Sequence, residues 1–301
     1  MSWAEVKHAL NDTLGTEEFQ PLNRLVSILM SDWQTIAKGP DTVWGAHGQY
    51  SYTVPDGVYK IYITACGAGG GGSGAAESQY ADIQYGGGGG GGGQAISNYE
   101  RFVSPGDVIQ ITVGQGGAGG INADADAPQN VGNGGDGRDT IIGDFLTLKG
   151  GKGGTFGAIS GGYLGSGGAA GGTGGGAGGD GGDTNSSTSA TNGQNGSSGL
   201  FGTGGDANND GGGGGGSIGK GGKIDSVNNR QVSPTRGGGG AGAGRSSRNH
   251  NSRDGQSGAD GYVRISAIRI NESDYTSTAS ALTYTEPQLM NEYSKGVESI
   301  G

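Results

Sequence analysis

The first forty residues carry apolar side chains at the spacing of an amphipathic helix. Ser2 and Glu5 form a capping-box pattern that starts a helix, and apolar residues then recur with helical periodicity. The run ends at Gly39 and Pro40, a pair typical of a helix end. We therefore predict a helical hairpin over residues 2–38, with an apolar stripe that includes Trp3, Leu22, Leu25, Leu29, Trp33 and Ile36.

Two interpretations of this apolar stripe are open. The stripe can pack against the rest of the chain, or it can assemble with sister chains or with another protein. We favour assembly, because the stripe presents more apolar surface than a two-helix hairpin can hide by itself. The sequence does not fix the number of chains, and a trimer is one option.

After residue 40 the pattern changes to the alternation and β-branched content of strands. Two strand candidates flank a Pro-Asp-Gly turn at residues 55–57, and two more flank a turn at residues 104–107. Shorter candidates cover residues 140–148 and 261–268. We expect these strands to form one small β-sandwich.

Glycine blocks with a three-residue period separate the strand candidates. The chain has 75 glycines among 301 residues, and residues 178–183 read GGD GGD. Asn133, Asp136 and Asp139 keep the same spacing. Three residues per turn is the period of the polyproline II conformation, whose backbone groups point outward and can bond to neighbouring tracts. Collagen is excluded, because two residues in three are glycine within the blocks and the chain has only 7 prolines.

The predicted fold class is therefore mainly β and irregular. It combines the N-terminal helical hairpin, the small β-sandwich and a lattice of packed polyglycine II helices. Residues 1–40 form a helical attachment or oligomerisation segment, residues 41–268 the glycine-rich domain, and residues 269–301 a C-terminal tail. The stretches between glycine blocks become turns at the ends of the packed tracts, and half of them should crowd at one end.

Charge and hydropathy exclude several classes of protein. The formal net charge of −10 argues against a protein that coats nucleic acid. No apolar run approaches the length of a membrane-spanning helix, so we expect no membrane insertion. The N-terminus has no basic start followed by an apolar core, so it does not read as a secretory signal.

No motif in the sequence points to catalysis, a cofactor or a metal. The segment GGDGRDTII at residues 134–142 fits a calcium-binding nonapeptide, but one copy cannot build a calcium-binding roll. His8, His47 and His250 are far apart in the sequence, and Cys66 is the only cysteine. We predict that the protein is not an enzyme and has no catalytic residues, no cofactor and no metal site.

The segment from Val43 to Ile268 resembles a family of glycine-rich domains common in phage tail and prophage proteins. The start of the chain, WAEVKHALNDTLGTEEFQPLNRLV, is similar to the opening of phage tail-fibre or structural proteins from Gram-positive hosts. The pieces that carry the glycine-rich resemblance are YTVPDGVYKIYITACGAGGGG, VSPGDVIQITVGQGGAGG, GGDGRDTIIGDFLTLKGGKGG and GADGYVRISAI.

This resemblance implies a phage fibre or tail-tip protein that recognises the host cell surface. In similar adhesins, loops at the free end of the glycine lattice contact a cell-surface protein or glycan, and the particle carries them outside the cell after lysis. The N-terminal segment would then join other virion proteins or sister chains. Two alternatives are a structural virion protein without a receptor and, ranked lower, an ice-binding protein.

Aromatic and basic residues in the stretches between glycine blocks are the candidates for receptor contact. Exposed rings among small polar residues are typical of binding surfaces, as is arginine. An equally weighted alternative is that the rings cap the ends of the glycine tracts. The candidates are Tyr80, Tyr85, Phe156, Tyr163, Phe201, Arg230, Arg236, Arg245, Arg248, His250 and Arg253.

Overall fold

A computed structural model describes most of the glycine-rich part of the chain, and the described part is all-β. No α-helix occurs in it, and no helix in it has the length and hydropathy needed to cross a membrane. The described residues are 37–77, 84–124, 130–159, 162–184, 194–207, 211–225, 230–243 and 254–269.

The strands are short except where they build the sandwich. In chain order they are β1 Ala37–Trp44, β2 Gly48–Thr53, β3 Val58–Cys66, β4 Ala76–Glu77, β5 Gln84–Tyr85, β6 Ala95–Phe102, β7 Val108–Val113, β8 Ala123–Asp124, β9 Thr140–Ile142, β10 Leu146–Leu148, β11 Thr155–Ile159, β12 Gly162–Ser166, β13 Asp183–Thr184, β14 Lys223–Asp225, β15 Arg230–Val232 and β16 Tyr262–Arg269.

Two four-stranded antiparallel sheets form the sandwich, with orders β1-β16-β3-β6 and β10-β9-β7-β2. Alternating side chains of the longer strands point inward and fill the space between the sheets. The largest fully buried side chains of this core are Ile61, Ile63, Ile111, Ile142, Leu148 and Ile265. The predicted β-strand pairs around residues 55–57 and 104–107 are therefore present, but each pair is split between the two sheets.

The glycine blocks run as extended tracts beside the sandwich and bond to one another sideways; we call this part the glycine bundle. In the tract of residues 86–94, the N–H groups of Gly87, Gly90 and Gly93 donate to one neighbouring tract, residues 237–243. The N–H groups of the residues between them donate to other tracts. The direction of bonding therefore rotates with a three-residue period, as a conformation with three residues per turn requires.

The tract of residues 86–94 bonds to six neighbouring tracts, and residues 86–93 are buried. These neighbours are residues 67–75, 149–154, 165–171, 176–182, 211–217 and 237–243. Such close packing leaves no room for a side chain: a Cβ built at Gly90 would collide with the carbonyl oxygen of Gly70. Backbone pairing thus takes the place that apolar side chains have in an ordinary core.

At the surface of the glycine bundle, some backbone N–H groups face no neighbouring tract and form hydrogen bonds with side chains instead. Three N–H groups along residues 150–156 donate to side-chain oxygens of the adjacent tract, at distances of 2.8 to 3.0 Å. The pairs are Gly150 with Asp139, Gly153 with Asp136, and Phe156 with Asn133. This side-chain ladder explains the three-residue spacing of these polar residues.

A second side-chain ladder covers the tract of residues 114–122. Its donors are again three residues apart, and its acceptors lie on residues 254–261, which run antiparallel to it. The pairs are Gly116 with Asp260, Gly119 with Ser257, and Asn122 with Asp254. Polar side chains at this period therefore serve the fold at the surface of the glycine bundle.

The predicted fold class is corrected by this all-β arrangement. Ala37 and Lys38, which the sequence placed in a helix, begin strand β1, and the supposed helix end at Gly39 and Pro40 lies inside the same strand. Pro40 is accommodated because β1 is at the edge of its sheet and its register shifts between Lys38 and Asp41. The other residues of the predicted helical hairpin, 2–36, lie outside the described residues.

Candidate functional site: the loop end of the glycine bundle

The glycine bundle has two different ends. At one end, the sandwich end, six tracts join the long strands and the β9–β10 hairpin directly, as Gly67 follows Cys66 of β3 and Ala95 of β6 follows Gln94. At the other end, the loop end, the tracts pass into short strands. The small sheet β13-β5-β4-β8 gathers four of these strands, and the hairpins β11-β12 and β14-β15 extend from neighbouring tracts.

Seven internal segments lie outside the described residues, and the chain enters and leaves each of them at the loop end. The small sheet holds Glu77 beside Gln84 and Asp124, and Thr184 also pairs with Gln84. Ala243, before another of these segments, bonds to Ser73 at the end of a central tract. The segments are residues 78–83, 125–129, 160–161, 185–193, 208–210, 226–229 and 244–253.

This convergence follows from the antiparallel course of the tracts. Each tract that leaves the sandwich end arrives at the loop end, where the chain must turn before it returns. The non-glycine stretches of the sequence occupy most of these turns. We expected half of these stretches to lie at one end of the bundle. The described residues that flank them lie at the loop end, which agrees with that expectation.

Four of the predicted receptor-binding residues lie on strands at the loop end. Tyr85 is in β5 and pairs with Ala76 and Asp183. Phe156 is in β11, Tyr163 is in β12, and Arg230 is in β15. Tyr85 and Phe156 are half-buried, which suits the alternative in which rings cap the tracts.

Two other candidates lie at the sandwich end. Phe201 is 61% exposed. Its N–H donates at 3.1 Å to the carbonyl of Ser217, which ends the tract of residues 211–217. Arg236 has φ of 42° in a tight turn, and its guanidinium lies 4.8 Å from the ring centre of Tyr262. Nothing in the amino-acid sequence distinguishes these turns at the sandwich end from the turns at the loop end.

The remaining candidates fall outside the described residues. Among the loop residues these are Tyr80, Arg245, Arg248, His250 and Arg253. All of the proposed attachment residues are also outside: Trp3, Leu22, Leu25, Leu29, Trp33 and Ile36. Their roles therefore stay predictions.

Ionised side chains along the glycine bundle pair with one another. Lys152 Nζ lies 2.7 Å from Asp136, and Lys149 Nζ lies 2.7 Å from Asp139. The hydrogen bond from Lys152, followed by that from the Gly153 N–H, lowers the pKa of Asp136. Burial raises the pKa of Asp139, but the bonds from Lys149 and the Gly150 N–H outweigh it, so that its pKa is lowered.

These carboxylates belong to the segment that resembles a calcium-binding nonapeptide. Their oxygens accept bonds from backbone N–H groups and from lysines. Within the described ranges, no group of three or more His, Cys, Asp and Glu residues is placed to hold a metal ion.

The single cysteine lies in the interior of the protein. Cys66 is fully buried, and its thiol donates to the Arg236 carbonyl at 3.2 Å. Burial raises the pKa of this thiol to about 12, so it stays protonated at neutral pH. A buried, protonated thiol is not a nucleophile, and Cys66 acts as a small core residue.

Residues 45–268 match the model of a family described as a glycine-rich domain. Comparison with curated proteins gives no match. The family match covers the glycine bundle and the sandwich except β1 and Arg269, which is more than half of the chain. The chain belongs to this glycine-rich domain family.

Proposed function

We propose that this protein is a bacteriophage fibre or tail-tip protein that adheres to the host cell surface through the segments at the loop end. The observation that carries the proposal is the convergence of seven chain segments on one end of a tightly bonded bundle. The described residues that flank these segments lie at one end of the bundle, so the segments start and end where a recognition surface would need them. The ligand is a cell-surface protein or glycan.

The glycine bundle supports recognition by fixing where each segment begins and ends. Central tracts bond to six neighbours, so the flanking residues cannot move independently. A preorganised surface loses less conformational entropy when it docks, and this raises affinity without any added contact. The side-chain ladders at the bundle surface hold the outer tracts in place against their neighbours.

The two ends of the protein suit two different partners. Ala37 pairs with Arg269 at the end of the sandwich far from the glycine bundle, so residues 1–36 and 270–301 join the described part there. This supports attachment to other virion proteins or to sister chains at that end, while the loop end faces the cell. The protein would work on the virion, without catalysis and without a cofactor.

An adsorption assay tests the proposal. Purified full-length protein, added in excess, should block attachment of the phage that carries it to host cells. Arg245→Ala/Arg248→Ala, placed in a segment that starts and ends at the loop end, should weaken this competition. Arg236→Ala is the matched control, because Arg236 lies at the sandwich end, and it should compete as well as the unchanged protein.

The results separate adhesion from a purely structural role. If folded protein fails to compete at any concentration, the proposal is wrong and a structural virion protein is the better interpretation. If the protein competes but Arg236→Ala abolishes competition and Arg245→Ala/Arg248→Ala does not, adhesion stands and the assignment to the loop end fails.

A further inference from the structure

Six side chains at the surface of the glycine bundle make the same two-bond contact with a neighbouring tract. Each is an Asp or Asn whose side-chain oxygen accepts a backbone N–H of that tract at 2.7 to 2.9 Å. Each is followed by a glycine, whose N–H donates at 2.8 to 3.0 Å to the carbonyl two residues before that donor. We call this pair of bonds a clamp. The clamped residues are Asn133, Asp136, Asp180, Asn195, Asp254 and Asp260.

The clamp at Asn195 shows this contact in detail. Asn195 Oδ1 accepts the Ala207 N–H at 2.7 Å. The next residue, Gly196, donates its N–H to the Gly205 carbonyl at 3.0 Å. Asn133 is clamped in the same way. Both asparagines are exposed, so water reaches their side chains while the two bonds hold them.

An asparagine followed by glycine is chemically labile in a free chain, because glycine has no Cβ to shield its own nitrogen. That nitrogen attacks the side-chain Cγ of the asparagine and closes a succinimide ring. The bond from Cγ to Nδ2 breaks, and Nδ2 leaves as ammonia with the proton of the glycine nitrogen. Water then opens the ring at either carbonyl and gives aspartate or isoaspartate. At an Asp-Gly pair the same ring closure expels water instead of ammonia.

Isoaspartate would damage a glycine tract more than aspartate would. Its side-chain carbon becomes part of the main chain, so the tract gains one backbone atom. Lateral bonding depends on three residues per turn, and the added atom moves every later N–H out of phase with its acceptor. Isoaspartate at Asn195 would therefore also disturb the lateral bonds that Ser197 and Gly199 donate.

The clamp withholds both groups that ring closure needs. The reaction requires a free glycine nitrogen and a side chain that turns back onto it. In the clamp, the glycine N–H is donated sideways, and the side-chain oxygen is bonded to the same neighbouring tract. We propose that the clamps prevent ring closure at all six pairs, and that Asn133 and Asn195 are deamidation sites that become reactive only when their tract separates from its neighbour.

Deamidation rates of the full-length protein test the proposal. Asp56→Asn creates a reference Asn-Gly pair in the β2–β3 turn, where Asp56 is exposed and Gly57 has φ of 75°. Peptide mapping by mass spectrometry follows each site in warm, mildly alkaline buffer. In the folded protein, Asn133 and Asn195 should deamidate about thirtyfold more slowly than the Asp56→Asn site, which corresponds to about 2 kcal/mol, the net contribution of two hydrogen bonds. In denaturing urea the three sites should react at similar rates.

Ala207→Pro tests the side-chain bond of one clamp by itself. Proline has no N–H, and its fixed φ suits an extended tract, so the substitution removes the donor to Asn195 and leaves the Gly196 bond in place. Asn195 should then deamidate about fivefold faster, because one of its two bonds is lost. Asn133 in the same sample is the control and should keep its rate.

Three results would overturn the inference. Equal rates at Asn133, Asn195 and the Asp56→Asn site in the folded protein would show that the clamps give no protection. Rates at Asn133 and Asn195 that stay as slow in urea would assign the protection to the local sequence. An unchanged rate at Asn195 in Ala207→Pro would show that the side-chain bond does not prevent ring closure. None of these results depends on phage adsorption, so this test can fail while the proposed function stands.

Discussion

Replacing Gly90 with alanine puts a methyl group where the glycine bundle has no space. The added Cβ would collide with the carbonyl oxygen of Gly70. That carbonyl accepts the Gly240 N–H at 2.9 Å, and the Gly70 N–H donates to Gly91 at 2.9 Å. Relief of the collision requires the two tracts to move apart, which breaks or stretches both bonds in a buried place.

The expected loss follows from these two bonds. A buried backbone group that loses its partner costs about 1–3 kcal/mol, so two bonds give about 2–6 kcal/mol. Alanine restricts the unfolded chain more than glycine does, and this effect offsets the loss of stability by about 0.4–1 kcal/mol. The net loss is therefore about 1–6 kcal/mol, a substantial share of the about 5–15 kcal/mol that stabilises a typical domain.

Gly157 provides the matched control for this substitution. It lies in β11, is exposed, and a Cβ there meets no atom within 4 Å. Gly157→Ala should therefore leave the free energy of unfolding unchanged or raise it by up to about 1 kcal/mol. Guanidinium unfolding of both variants measures the difference, and equal midpoints for Gly90→Ala and Gly157→Ala would refute the packing argument.

Three further predictions concern side chains that complete the glycine bundle. Asp136→Ala removes the acceptor for the Gly153 N–H and should cost about 1 kcal/mol in urea unfolding, while Asp136→Asn, which keeps an acceptor oxygen, should cost less; equal losses would contradict the ladder. The pKa values of Asp136 and Asp260 in the folded protein lie below their ordinary value of 3.8. The two ionised carboxylates therefore contribute fully to the free energy of unfolding above that pH, and this contribution is lost as the pH falls through their pKa values in the folded protein. Urea midpoints should thus hold between pH 7 and about 5 and fall below about 4, and a midpoint that rises on acidification would oppose this. Ser217→Ala leaves the buried Gly93 carbonyl without the hydroxyl that donates to it at 2.7 Å and should lower thermal stability by about 1–3 kcal/mol; an unchanged melting temperature would count against that bond.

The strands and glycine tracts were largely predictable from local patterns. The alternation in VYKIYITAC predicts a strand with one buried face, as β3 has. The three-residue period of the glycine blocks predicts backbone hydrogen bonds between neighbouring tracts, as the glycine bundle has. The partners of each tract were not predictable, because a glycine-only sequence carries no side-chain code for its neighbours. The two N–H groups of Gly89 and Gly90, adjacent in sequence, donate to tracts that are far apart along the chain.

The errors have physical causes as well. A Gly-Pro pair reads as a helix end, but an edge strand with a shifted register accepts Pro40 equally well. Phe201 follows a long polar stretch, which is typical of a loop, whereas the structure holds it in a tight turn at the sandwich end.

Amide hydrogen exchange of the intact protein tests most directly whether backbone pairing between glycine tracts holds this fold together. Residues 86–93 are buried and bonded on all sides, so their amides should exchange as slowly as those of the central sandwich strand β3. Exchange of residues 86–93 at the rate of an unstructured chain, while β3 remains protected, would contradict the account.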